Sequence, residues 1–124
     1  MIDIIKLFEK ILTFISLFNK ELDMTVSPWT SGNCEVTNSS KYSVFIIIQN
    51  GEPIIAIRND NDIIGFSVSI ATGNSEYVKA FKATTNSDTW TLSYSNQLTH
   101  TASSSHDAGT SQSVTKIIGL IPLA

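Results

Sequence analysis

The stretch Lys41 to Gln49, KYSVFIIIQ, decides how this chain is read. Val44-Phe45-Ile46-Ile47-Ile48 is an unbroken apolar run, rich in β-branched residues and too short for an ordinary helix, so it predicts a strand. A strand that is apolar at every residue needs cover on both faces. In an isolated antiparallel sheet one face is normally wet, so the second face here calls for another layer, and a neighbouring subunit is one candidate. Asn50-Gly51 follows directly and is the strongest hairpin signal in the chain. Pro53 to Arg58, PIIAIR, is the return strand.

Further along, Asn59-Asp60-Asn61-Asp62 predicts a turn. Its oxygen-rich side chains resemble the start of a calcium loop, but the full D-x-[DN]-x-[DN]-G pattern with a distal glutamate is absent, so an Asx-type turn is expected. Ile63 to Ala71, IIGFSVSIA, alternates: Phe66, Val68 and Ile70 share one face, Ser67 and Ser69 the other. Glu76 to Thr84 is a further strand, with Lys79 and Lys82 suited to guarding a sheet edge. Thr89 to Ser95, TWTLSYS, alternates again and places Trp90, Leu92 and Tyr94 on the apolar side. Gln97 to His106 is polar and serine-rich. Lys116 to Leu123, KIIGLIPL, is a second near-continuous apolar run, expected to be central or buried at an interface. About seven or eight short strands, punctuated by turns, are the signature of a sandwich or barrel.

The other end of the chain has a different period. In Met1 to Asp23, MIDIIKLFEKILTFISLFNKELD, apolar residues fall at Ile4, Phe8, Ile11, Ile15, Phe18 and Leu22, in steps of 4, 3, 4, 3 and 4. That is the spacing of a coiled-coil seam. Ile5, Leu7, Leu12 and Phe14 widen the stripe, while Lys6, Glu9, Lys10, Thr13, Ser16 and Lys20 lie opposite. A face this broad suits packing against two or more neighbours, as in a trimeric stalk; a helix lying on its own domain is the alternative. The charges within the run argue against a signal peptide and a membrane-spanning helix. Acids balance the lysines, which argues against an interfacial helix. Met24 to Ser31, MTVSPWTS, is the expected hinge, with Trp29 plugging the joint between stalk and domain.

The expected architecture is therefore mainly β. An N-terminal amphipathic helix forming a coiled-coil stalk (1–23) leads through a hinge (24–31) into an antiparallel, jelly-roll-like β-sandwich (32–124). Only 15% of the 124 residues are charged, and the net charge is −3. With no basic cluster, nucleic-acid binding has no electrostatic footprint. Cys34 is the sole cysteine and so has no internal disulfide partner; it reads as a small buried or half-buried residue.

The residues that could carry chemistry are sparse. The two histidines are His100 and His106; Ser103, His106 and Asp107 allow a triad to be drawn, but no nucleophile elbow exists and adjacent strand residues point to opposite faces. Glu52, Asp60, Asp62, Glu76, Asp88 and Asp107 nearly all fall in predicted turns, where turn chemistry accounts for them. No phosphate loop appears, and no metal or cofactor is expected. Trp90 and Tyr94 read as core, leaving Tyr42 and Tyr77 as freer aromatics. No ligand-binding residue is fixed.

The helix heptads, the stretch SYSNQLTHTASSSH and the terminal TKIIG strand together resemble, in layout, small tail or baseplate proteins of bacteriophages and prophages of Gram-positive bacteria. The resemblance implies a non-enzymatic, virion-located structural and receptor-binding protein, made in the bacterial cytoplasm. It further implies a homotrimer that contacts other tail proteins and host cell-surface saccharide, without membrane insertion. A monomeric carbohydrate-binding module is the alternative, and a small hydrolase centred on His100, His106 and Asp107 the third reading.

Overall fold

A computed structural model describes residues 3–16, 19–70, 75–101 and 109–122. Helix α1 spans Ile4–Ser16, and nine strands follow: β1 Lys20–Leu22, β2 Asn33–Glu35, β3 Tyr42–Gln49, β4 Glu52–Asn59, β5 Asp62–Ile70, β6 Ser75–Asn86, β7 Thr89–Thr101, β8 Thr110–Ser111 and β9 Val114–Pro122. All nine belong to one antiparallel sheet, ordered β1-β9-β3-β4-β5-β6-β7-β2, with β8 alongside β7. The protein is thus mainly β, with one short N-terminal helix, and the sheet curls into a half-barrel. A single curled sheet stands where two stacked sheets of a sandwich were expected.

The turns explain the tightness of the meander. Asn50 and Gly51 both have positive φ, 46° and 82°, which gives the hairpin the twist its strands need. Asp60 and Ser87 take the same left-handed region at the β4–β5 and β6–β7 hairpins, at the opposite end of the strands. The apolar run of β9 lies between β1 and β3, the central position its composition calls for. Gly119 is required there: a Cβ would lie 2.6 Å from two ring carbons of Tyr42. At Gly65 a Cβ would meet the Ile55 carbonyl oxygen at 2.7 Å, so β4 and β5 approach closely at the Ala56–Gly65 pair.

The core lies on the concave face. Trp29, Trp90, Tyr42, Phe45, Phe81, Ile47, Ile63 and Ile117 are fully buried there. Trp90 is central: the Phe45 ring meets it edge-on at 5.1 Å between centroids, and Trp29 lies at 6.4 Å. Cys34 is buried and free.

Several expectations are corrected. Helix α1 is described to Ser16, and Lys20–Leu22 is a strand paired with β9, so Leu22 belongs to the β core, 3% exposed, rather than to a helical seam. The supposed hinge is stitched into the sheet. Met24 bridges Val36, and Trp29 exchanges two backbone hydrogen bonds with Val114, at 2.8 and 2.9 Å. Trp29 therefore fills the core instead of plugging a joint. Strand β6 is interior, between β5 and β7, and Lys79 does not guard an edge. Tyr94 is 41% exposed because a bulge in β7 skips Ser93. One extra residue reverses the alternation, so that Ser95 turns inward and Tyr94 outward.

Candidate functional site: the outer face of the sheet

The outer face is built by the same strands that make the core. Along β4, Ile54 and Ala56 are buried while Ile55 and Ile57 are 60% and 55% exposed. Along β5, Ile63 and Gly65 point inward, which forces Phe66 and Val68 outward at 71% and 58% exposure. The serine side of IIGFSVS thus faces the concavity and its oily side faces out. Pairing brings these residues into rows: Val44 and Ile64 flank Ile57, and Ile55 and Ile118 flank Ile46. The half-buried Val44, Ile46 and Ile48 give the second apolar face of β3, which the sequence said needed cover. An open groove of about 490 Å3 runs between β4 and β5, walled by Ile55, Ile57, Ile64 and Phe66, with Gly65 between them and Arg58 and Asn59 at one end.

Helix α1 presents a second apolar surface. Asp3 caps it, its carboxylate oxygen accepting from the amides of Ile5 and Lys6 at 3.1 and 3.2 Å. Ile4, Ile5, Leu7, Phe8 and Ile11 are between 46% and 76% exposed. Ile4, Phe8 and Ile11 therefore share a helix, as their spacing predicted, and Ile15 lies on the same helix. Phe18 is outside the described residues.

The two ends of the concave face are polar. At one end Gln49, fully buried, donates from Nε2 to the Ala80 carbonyl at 3.0 Å and to Ser95 Oγ at 2.8 Å, and Ser95 donates to the Gln112 carbonyl at 2.7 Å. Nearby on this face Lys79, only 4% exposed, pairs with Glu52 at 2.8 Å. Ser67 and Gln97 flank Lys79 in the ladder.

The other end is a knot of internal bonds. Arg58 donates to the carbonyls of Tyr42 and Ser39, each at 2.9 Å, and to Thr85 Oγ1 at 3.1 Å; its guanidinium carbon stands 5.7 Å from the Phe45 ring centre. Trp90 Nε1 donates to Ser39 Oγ, which donates to Asp88. Burial alone would raise the Asp88 carboxyl. Hydrogen bonds from Ser40, Asn38 and Ser39 outweigh it and hold the group below the ordinary carboxylate range. Burial also pushes the Tyr42 phenol up and the Arg58 guanidinium down, the latter partly offset by the Asp88 charge. The hydrogen bonds of Arg58, Ser39, Thr85 and Asp88 all tie parts of the fold to one another, so this end is a structural knot, while the Tyr42 hydroxyl is buried without a partner among the described residues.

The sequence-derived chemical candidates are not brought together. His100 sits in β7 opposite Glu76 in register, while Ser103, His106 and Asp107 lie outside the described residues. Among the described residues no three His, Cys, Asp or Glu side chains gather as metal ligands. Tyr42, read as a freer aromatic, is fully buried, and Tyr77 is half-buried. What the sequence reading missed is the outward side of β5. The signal was present in Phe66 and Val68 alternating with serines, but alternation alone does not say which side is wet.

Among the described residues no helix is long and apolar enough to cross a membrane. No family model, curated protein or solved structure matches this chain.

Proposed function

We propose that this chain is a non-enzymatic structural subunit that self-associates through its N-terminal helix, three copies being the expected number, as a tail or baseplate component of a phage or prophage particle. The observation that carries self-association is the exposure of Ile4, Ile5, Leu7, Phe8 and Ile11 on one short helix that, among the described residues, makes no extended contact with its own strands. A 13-residue helix is marginal in water by itself. Packing against copies of the same chain would both hide the stripe and hold the helix. The placement in a tail rests on the layout of helix, short joint and Ser/Thr/Asn-rich β domain. Light scattering on the intact chain tests the reading: the expected mass is a multiple of the 13.6 kDa chain, and Phe8→Asp with Ile11→Asp lowers it to one chain. A native mass of one chain overturns it.

A second reading, a carbohydrate-binding module, has one observation in its favour. Half-buried Ser67 and Gln97 flank Lys79, whose ammonium reaches the exposed Glu52 carboxylate, so one end of the concave face carries hydroxyl, amide and charged groups of the kind that recognise sugar hydroxyls. Glycan-array binding that is lost in Lys79→Met, with the fold retained, would favour this reading.

A further inference from the structure

Among the described residues, every exposed large hydrophobic side chain except Val26 belongs to one of two groups. One is the stripe on α1. The other is the outer sheet face: Ile55, Ile57, Phe66, Val68, Tyr94 and Ile121. We infer that this face, centred on the groove between β4 and β5, is the seat for helix α1 of a second copy, so that each chain hands its helix to a neighbour and receives one in return. The inference rests on the self-association reading and specifies where the helix goes.

Three features favour this occupant. The first is the match of the two surfaces. A 13-residue helix is about 20 Å long, and strands of eight or nine residues run roughly 27 to 30 Å, so the seat holds the whole helix. The row Ile4, Phe8, Ile11 forms a ridge of bulky apolar side chains, and the groove is open and walled by the apolar side chains of Ile55, Ile57, Ile64 and Phe66. The second is curvature. The concave side is filled by the core, so the outer face bulges. Two bulging sheets touch over a small area, whereas a narrow helix lies along one such surface. The third is the arrangement within one chain. The segment after α1 is β1, on the far side of β9 and β3 from the groove, and, among the described residues, both the stripe of α1 and the walls of the groove are exposed within one chain.

The contact is heterologous: one helix meets one seat, and each copy carries one of each. Such a contact closes into a ring when the rotation between copies allows it, and three copies make the smallest ring beyond mutual exchange in a pair. The same contact hides both exposed surfaces without any other partner.

The test uses two tagged forms of the full chain, one carrying Phe8→Cys and the other Ile57→Cys, mixed by co-expression and treated with a short bismaleimide, which tolerates a shift in helix register. Both positions are exposed, so folding is retained, as circular dichroism would check. Cys34 is buried, and the unsubstituted protein controls for it. The expected product is a cross-linked pair of unlike chains, at least tenfold more abundant than either like pair. A dominant Phe8→Cys pair with itself means that helices bundle with one another; this overturns the seat while leaving self-association standing. A bridge within one chain, when both substitutions are made together, overturns it in favour of the chain's own helix. Absence of any bridge in a sample that light scattering shows to be assembled also overturns it. A native mass of one chain removes the self-association reading itself.

Discussion

The inner and outer faces of strands β4 and β5 both carry large apolar side chains, with opposite fates. Ile54, Ala56 and Ile63 are at most 2% exposed, while Ile55, Ile57, Phe66 and Val68, their neighbours in sequence, are all more than half exposed. Hydrophobicity made both faces oily; closure of the sheet around Trp90 chose between them. The inner face is stabilised by interlocking rings and a polar knot and belongs to the folding of one chain. The outer face contributes little until something covers it. In the assembly we propose, stability and association are written on opposite sides of the same strands, and substitutions should separate them.

The largest expected effect is Trp90→Ala. It removes the hub of the ring cluster and the donor to Ser39, and should cost about 3 to 5 kcal/mol in urea unfolding, the range for emptying a large aromatic site. Gly119→Ala should cost about 1 to 3 kcal/mol, because its methyl group enters the Tyr42 ring and one of them must move. Asp88→Ala should cost about 1 to 2 kcal/mol, through the amides of Asn38 and Ser40 that lose their acceptor.

Asp88 also sets a pH dependence. Its folded-state pKa lies below its unfolded value. Its contribution is complete above the ordinary carboxylate range and is lost as pH falls through the folded value. Unfolding followed from pH 7 to pH 2 should show a larger acid-side loss for the native chain than for Asp88→Ala. The smallest effect on folding belongs to the outer face. Ile57→Thr keeps a β-branched residue and should change the stability of the dissociated chain by about 0.5 kcal/mol or less, while weakening assembly measured by light scattering. A large loss of intrinsic stability at Ile57 would erase the distinction between the two faces.

Much of the ladder was legible in the sequence because its signals are local. KYSVFIIIQ, the Asn50-Gly51 turn and the terminal KIIG run each specify a strand or hairpin within a few residues, and β3, β4 and β9 are found where those signals lie. What was hidden depends on distant partners. Leu22 follows the helical period without a break, yet pairing with Ile117 draws it into the sheet. Trp29 follows a proline in a stretch that looks like a joint, and only its bridge to Val114, far away in sequence, seats it in the core. Tyr94 obeys the alternation of TWTLSYS until the skipped Ser93 reverses it. The extension of β7 to Thr101 through QLTHT was concealed by polarity, since the pairing with β6 continues past the end of the oily core. The outer face was half legible: β3 announced that it needed two covers, but the sequence did not identify β4 and β5 as the bare ground beside it.

The place of β9 between β1 and β3 has a consequence for how the chain is made. A ribosome delivers β9 after both of the strands that flank it. Until it arrives, the isoleucine-rich margin of β3 is an open zipper, and nascent chains lying side by side on one message carry the same unfilled slot. A production strain that slows translation just before Val114 should therefore yield more insoluble product than one that slows it anywhere earlier, and a chaperone that shields extended oily segments should restore the yield.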